Sequence, residues 1–262
     1  MTARQVLRER QYAGADKLAA RQRLWRYRPD TGSHAGGRLD LLELAGVESV
    51  LDLGCGNGVY LAELRRRGHG GLLVGADLSL GMAYESAAFA DATVVVDAEH
   101  LPFADAAFDV ALAMHMLYHV PRYPAAIAEL HRVVGSGGAL LVATNGGRHT
   151  AEIADVIGTA SRAVTGSVWM RPVLSFSIET AEPALRAVYA DVRRVEMVET
   201  VLVPSAGTVL EYVASQEPEF CGVQPGAQWA EFLDAVRAIV DDRVRRHGAF
   251  TVTSHTGTFV CR

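Results

Sequence analysis

An α/β protein with a doubly wound, mostly parallel sheet is what this sequence predicts, on three observations. Short apolar runs alternate with stretches of helical periodicity between residues 49 and 144, the rhythm of strand-helix-strand units. The run Val50-Leu51-Asp52-Leu53 meets glycines at alternate positions, Gly54, Gly56 and Gly58, and passes directly into a helical pattern at Leu61 and Leu64. A second apolar run, residues 72–77, closes on an acid, Asp77. Strand, tight glycine turn and helix form the usual entry to a nucleotide site, because the missing Cβ atoms let the chain turn sharply and let a ligand lie against the backbone.

Bulk composition narrows the field. The chain has 262 residues, half of them apolar and 21% charged, enough to bury a sizeable core. A net charge of −5 argues against a general nucleic-acid binder. The basic runs at 65–67 and 243–246 read as solvated helix ends, where cations are favourable. Three cysteines, Cys55, Cys221 and Cys261, are odd in number and far apart, so neither a disulfide framework nor a zinc site is expected, and the expected compartment is the cytoplasm. No apolar run approaches the roughly 18 residues of a membrane span, and no secretory signal is read at the N-terminus.

In order, residues 3–27 read as an amphipathic helix, either a lid over a ligand or a helix held down by Tyr12, Trp25 and Tyr27. A short helix at 39–44 precedes the first strand, 49–53. The next helix ends at Gly68, then follow a strand at 72–77, a helix at 82–90 and a strand at 92–96. The nearly continuous apolar run 108–113 is a strand buried on both faces. A helix at 124–134 leads through a Gly137-Gly138 turn to a strand at 139–144. Beyond it, helices are expected at 149–172, 181–190, 206–214 and 229–245, with a strand at 194–203. Two closing strands flank a turn at His255-Thr256-Gly257, which would expose His255. The expected organisation is one domain over 1–262: a helical cap at 1–36, a core at 37–146, a helical lid with one core strand at 147–248, and closing strands at 249–262.

Four features in register, Val50 to Gly58, Asp77, Asp97-Ala98 with Leu101-Pro102-Phe103 following, and the His-rich stretch Met114 to Pro121, resemble the class I S-adenosylmethionine (SAM)-dependent methyltransferases of the UbiE-like small-molecule type. The resemblance is dense over residues 47–145. It implies a Rossmann-like, mostly parallel seven-stranded sheet with an antiparallel last strand, and SAM as cofactor. Carried over residue by residue, it implies that the backbone of Gly54, Cys55, Gly56 and Gly58 approaches the cofactor, with Asp52 hydrogen-bonding at the loop and linked through water to the cofactor's ammonium. Asp77 would hold the ribose hydroxyls; the competing reading is a cap on the helix that follows. Asp97 and the Ala98 N–H would meet the adenine, Leu78 and Met82 would sandwich it, and His115 would lie near the methionine portion. Leu80 and Gly135-Ser136 depart from the family pattern, in turns away from the cofactor.

The expected function is metal-independent, in-line methyl transfer to nitrogen or oxygen of a small molecule, with an apolar lid pointing toward secondary metabolism. The sulfonium methyl is already reactive, so alignment is the main task and a base helps only where the acceptor must lose a proton. His119 and Tyr118 are the candidate proton acceptors, His119 being equally readable as a packing residue. Tyr12, Tyr27 and His149 are candidate substrate contacts. No closely spaced His, Cys or carboxylate set marks a metal site. Neither a nucleic-acid nor a membrane partner is expected, and the sequence leaves the oligomeric state open. The main alternative is an inactive SAM-binding or scaffold protein, against which the acids at 52, 77 and 97 argue. A dinucleotide oxidoreductase would need its third glycine at 59, where Val stands. A nucleic-acid methyltransferase acting on base amines would need an Asn/Asp-Pro-Pro-aromatic stretch, which Met114 to Tyr118 lacks.

Overall fold

The computed structural model describes residues 15–29 and 34–262. Residues 3–14 of the expected N-terminal helix, Tyr12 among them, lie outside the described residues. Helix α1 (Ala15–Leu24) runs into a 3-10 turn, Trp25–Tyr27. Helix α2 (His34–Leu39) forms earlier than the 39–44 expected from periodicity. It contains Gly36 and Gly37, poor helix formers, and is held instead by burial of Ala35, Arg38 and Leu39.

Strand β1 (Val50–Leu53), helix α3 (Val59–Arg66), β2 (Leu73–Asp77), α4 (Leu80–Ser86) and β3 (Ala92–Val95) form the first strand-helix-strand units. Strand β4 (Phe108–Met114), helix α5 (Tyr123–Val133) and β5 (Val134–Asn145) form the next. Strand β5 begins before the expected Gly137-Gly138 turn: Gly137 takes φ +87° inside the strand and the β4–β5 register shifts between Phe108 and Val110. The glycine pair marks an irregularity in a strand, not its start. The remaining elements are α6 (Ala151–Thr165), α7 (Ile178–Arg186), β6 (Val192–Val203), α8 (Ala206–Ala214), α9 (Ala227–His247) and β7 (Phe250–Cys261). Helix α6 stops seven residues short of the expected end because Gly166, at φ +71°, closes it as a left-handed cap.

The seven strands lie in the order β3-β2-β1-β4-β5-β7-β6. All neighbouring pairs among β1 to β5 are parallel, and β7 runs antiparallel to both β5 and β6. One face buries Leu61 and Leu64 of α3 against Leu112, Leu141 and Val260. The other buries Ile127 and Leu130 of α5 and Leu185 of α7 against Val142 and Phe259.

Strand β7 corrects the sequence reading at the C-terminus. It is one continuous strand through His255-Thr256-Gly257, not two strands and a turn. Gly257 is there for close approach: a Cβ would sit 2.8 Å from Ile178 Cγ1. His255 is accordingly 5% exposed, not a surface residue. Only Thr256–Cys261 pair with β5, whereas all of β7 pairs with β6. The upper halves of β6 and β7 therefore project past β5 as a two-stranded ribbon. On it sits a second core, in which Val201, Val203, Phe250 and Val252 pack with Leu24 of α1, Val156 of α6, Val209 of α8 and Phe232 of α9. This helical cap stands at the C-terminal end of the parallel strands, where open α/β sheets bind ligands. No helix among the described residues is long and apolar enough to cross a membrane.

Candidate functional site

The turn after β1 is built from glycines because its backbone leaves no alternative. Gly54, Gly56 and Gly58 all have positive φ, and a Cβ on Gly54 would lie 2.7 Å from Met116 Cβ. The Gly54 and Cys55 N–H groups donate to Ala76 O at 2.7 and 3.1 Å, tying the loop to the end of β2. Asp77 braces it from the other side: its Oδ2 accepts from Gly56 N at 3.0 Å and its Oδ1 from Ser79 N at 2.8 Å. The cap of α4 is Ser79, whose hydroxyl accepts from Met82 N, so that duty does not fall to Asp77.

Beneath the loop, Asp52 is 1% exposed and its Oδ2 has no hydrogen-bond partner. Burial, reinforced by the Asp77 charge, pushes its carboxyl up to about 7. Burial also raises the Asp77 carboxyl, against three backbone N–H groups that lower it. The Cys55 thiol donates to Ser86 Oγ at 3.3 Å, and burial raises it far from ionisation. It is a filler rather than a thiolate.

The loop opens into a cavity of about 980 Å³ between the sheet and the cap, at the upper end of the roughly 300–1,000 Å³ of small-molecule sites. At one end it is lined by Gly54, Cys55, Gly56, Asp77, Leu78, Asp97 and Ala98, then by His115, Tyr118 and His119, and at the cap end by His149. Four of the residues singled out in the sequence do not reach its wall. Asp52 lies below the loop, and Gly58 faces Phe89 and Ser86. Met82 is fully buried, so it does not present a face to the cavity. Tyr27, 38% exposed, points its hydroxyl toward Thr208 at 3.5 Å, outside the cavity.

Comparison with known proteins finds one matching stretch. Residues 51–142 match the methyltransferase domain family. Demethylmenaquinone methyltransferases also match part of the chain: that of Mycolicibacterium vanbaalenii is 39% identical over 103 residues, 39% of this chain and 44% of its own, and that of Corynebacterium kroppenstedtii is 41% identical over 95 residues, 36% of this chain and 41% of its own. The chain thus spans less than half the length of the curated relatives it matches. Among solved structures, the [4+2]-cyclase SpnF superposes with a TM-score of 0.59 at 20% identity, covering all of this chain and 97% of its own. A phosphoethanolamine N-methyltransferase of Haemonchus contortus, solved with phosphomonomethylethanolamine and S-adenosylhomocysteine, superposes at 0.58 and 14%, covering all of this chain and 60% of its own. At such identities these likenesses establish fold.

The cavity wall also holds residues that sequence reasoning passed over. Gln22 of α1 and Asn57 of the glycine loop exchange amide hydrogen bonds at 3.0 and 3.2 Å, pinning α1 over the loop. Arg28, His34, Arg38 and Arg171 also line the cavity. No motif flags them, because they come from loops and short helices far apart in the chain. The cavity histidines are all held neutral. His34 is lowered to about 2, His149 to about 3 and His119 to about 4, by burial first and then by neighbouring arginines. His115 is lowered well below its ordinary value by burial and Arg38. It sits at φ +57° just beyond β4, a left-handed conformation that strains a non-glycine residue. No group of three or more His, Cys, Asp or Glu among the described residues could hold a metal ion.

Proposed function

We propose that this protein is a SAM-dependent methyltransferase acting on nitrogen or oxygen of a small-molecule acceptor enclosed between the glycine loop and the cap. The observation that carries this reading is that the domain's cofactor loop and the cap share one cavity, large enough for two ligands side by side. The residues present fit the cofactor. Asp52, beneath the loop, holds a buried, unpartnered carboxylate oxygen that would reach an ammonium group above the loop through water, and Gly54 leaves room where any side chain would collide. The two Asp77 oxygens accept from backbone N–H groups, Gly56 and Ser79 among them, and retain lone-pair capacity for a ribose hydroxyl. Asp97 and Ala98, on the same wall, are suited to the adenine edge.

When bound, SAM supplies a methyl group activated by its sulfonium. What the chain contributes is alignment and exclusion of water, with Ile153, Ile157, Trp169 and Tyr212 of the cap closing over the acceptor. His119 is neutral at pH 7 and takes an acceptor proton only weakly, so an acceptor that already carries a lone pair fits best. The quinone named in the curated relatives is not carried over, since the cap that would choose the acceptor lies outside the matched stretch.

The test is calorimetric titration with S-adenosylhomocysteine, followed by transfer of labelled methyl from SAM to a panel of amines and phenols. Micromolar binding that Asp77→Asn weakens at least tenfold, about 1.4 kcal/mol, is the expected result. Folded wild type that binds no S-adenosylhomocysteine overturns the proposal.

A further inference from the structure

At the cap end of the cavity stand two arginines: Arg38, buried, has no acidic partner among the described residues, and Arg28, half-buried, pairs with one, Glu199. Arg38 is 3% exposed. Its Nε donates to Thr258 Oγ1 at 3.2 Å and its Nη1 to Tyr60 Oη at 3.0 Å, both neutral hydroxyls, and its Nη2 has no partner. Arg28 donates to Ser254 Oγ at 3.0 Å and stacks 4.6 Å over Trp25. Its Nε forms an ion pair with Glu199 Oε2 at 3.4 Å but no hydrogen bond, so its donor capacity is left partly unused. Arg171 donates to the carbonyls of Gly147 and His149. The acids nearby are committed elsewhere: Glu196 to His255, and Glu152 to Thr253. A buried guanidinium with neither counter-charge nor full hydrogen bonding is costly, and such a group is stabilised by an anion arriving with its own oxygens.

Neutral donors surround the same space. His149 Nδ1 accepts from His255 N at 3.2 Å, which leaves the Nε2–H as its donor. His34 Nε2 is buried with no partner. Two residues with strained positive φ, His115 and Thr150, flank the chamber, as strain does at ligand sites.

Resting on the methyltransferase reading above, we infer that the acceptor is anionic: a carboxylate or phosphate on the acceptor docks on Arg38 and Arg28, with His34 and His149 as neutral donors. The atom to be methylated would then lie toward His115 and His119, between the anion site and the glycine loop. The carboxylate of the cofactor itself is the other source of the same chemistry, and the test separates the two.

Wild type saturated with S-adenosylhomocysteine is titrated with phenyl phosphate, benzoate and phenol. At least one of the two anions is expected to bind tenfold or more tighter than phenol. Arg38→Met, and independently Arg28→Met in case the first fails to fold, should abolish that preference while changing S-adenosylhomocysteine affinity less than threefold. Equal binding of phenol and both anions to the loaded wild type overturns the inference and leaves the methyltransferase reading standing. A tenfold loss of S-adenosylhomocysteine affinity in Arg38→Met, with unchanged affinity for methylthioadenosine, which lacks the amino-acid carboxylate, assigns the anion to the cofactor and also overturns it. Wild type that binds no S-adenosylhomocysteine overturns the reading on which the inference rests.

Discussion

Asp52 and Asp77 divide the polar work under the glycine loop unequally. Asp77 is braced by Gly56 and Ser79, whereas Asp52 is buried with a bare oxygen and a carboxyl poised at about 7. Its raised value keeps it partly protonated near neutral pH, and an ammonium bound above the loop favours the ionised form. S-Adenosylhomocysteine binding near pH 7 should therefore release protons, read from calorimetry in buffers of different ionisation enthalpy. The charged neighbour that matters is Asp77, which keeps the Asp52 carboxyl high until the cation arrives. In Asp52→Asn the release should vanish. Gly54→Ala tests the backbone: at φ +71°, with Met116 2.7 Å from the new Cβ, it should cost about 1–3 kcal/mol by chemical denaturation and abolish cofactor binding. These residues were legible because chemistry and spacing coincide in one short stretch. Arg28, His34 and Arg38 were not, since a lone basic residue in a loop or in a helix of six residues carries no periodic signal.

At the scale of elements, periodicity located helices and strands well and misread the glycines that punctuate them. Gly137 and Gly257 looked like turns, and both lie inside strands. A glycine says that a side chain is unwelcome; whether a turn or a neighbour excludes it is a tertiary matter. The long α9 stripe was visible, but not that Phe232 would pack with Val201 and Val252 on a ribbon above the sheet. Phe232→Ala should destabilise the cap by about 3–5 kcal/mol. Denaturation followed by intrinsic tryptophan fluorescence reads this directly, since Trp25, Trp169 and Trp229 pack against that core. After the cap, residues 167–175 run without regular structure along the cavity mouth, with Val173 95% exposed.

For the whole molecule, the buried histidines set the response to acid. A histidine whose folded value is depressed is neutral when folded and charged when unfolded, so its contribution to stability is present above pH 6.5 and lost as the pH falls. His34, His119 and His149, at about 2, 4 and 3, each remove about 2 kcal/mol between pH 7 and pH 5. Asp52 runs the other way, its raised carboxyl returning about 2 kcal/mol over the same interval. The net expectation is a loss of a few kcal/mol, seen as a lower urea midpoint at pH 5 than at pH 7. Two cores stand on one sheet: one organises the glycine loop, the other roofs the cavity. The first was readable from consecutive motifs. The second was not, because its residues come from α1, α6, α8, α9 and the β6–β7 ribbon, and an apolar stripe does not name its partner. The superposition on a [4+2]-cyclase gives the same lesson about fold and chemistry, since one architecture carries more than one reaction.

The β7 strand writes both halves of the molecule in a single line of text. Its last six residues are read by β5, and those before them only by β6. An extra residue slipped in after Thr253 would leave the lower lettering intact and turn the upper lettering over, sending Val252 outward and Thr251 inward. The roof is thus not a cassette to be exchanged at will: any graft of a new acceptor-binding cap must keep the parity of this one strand.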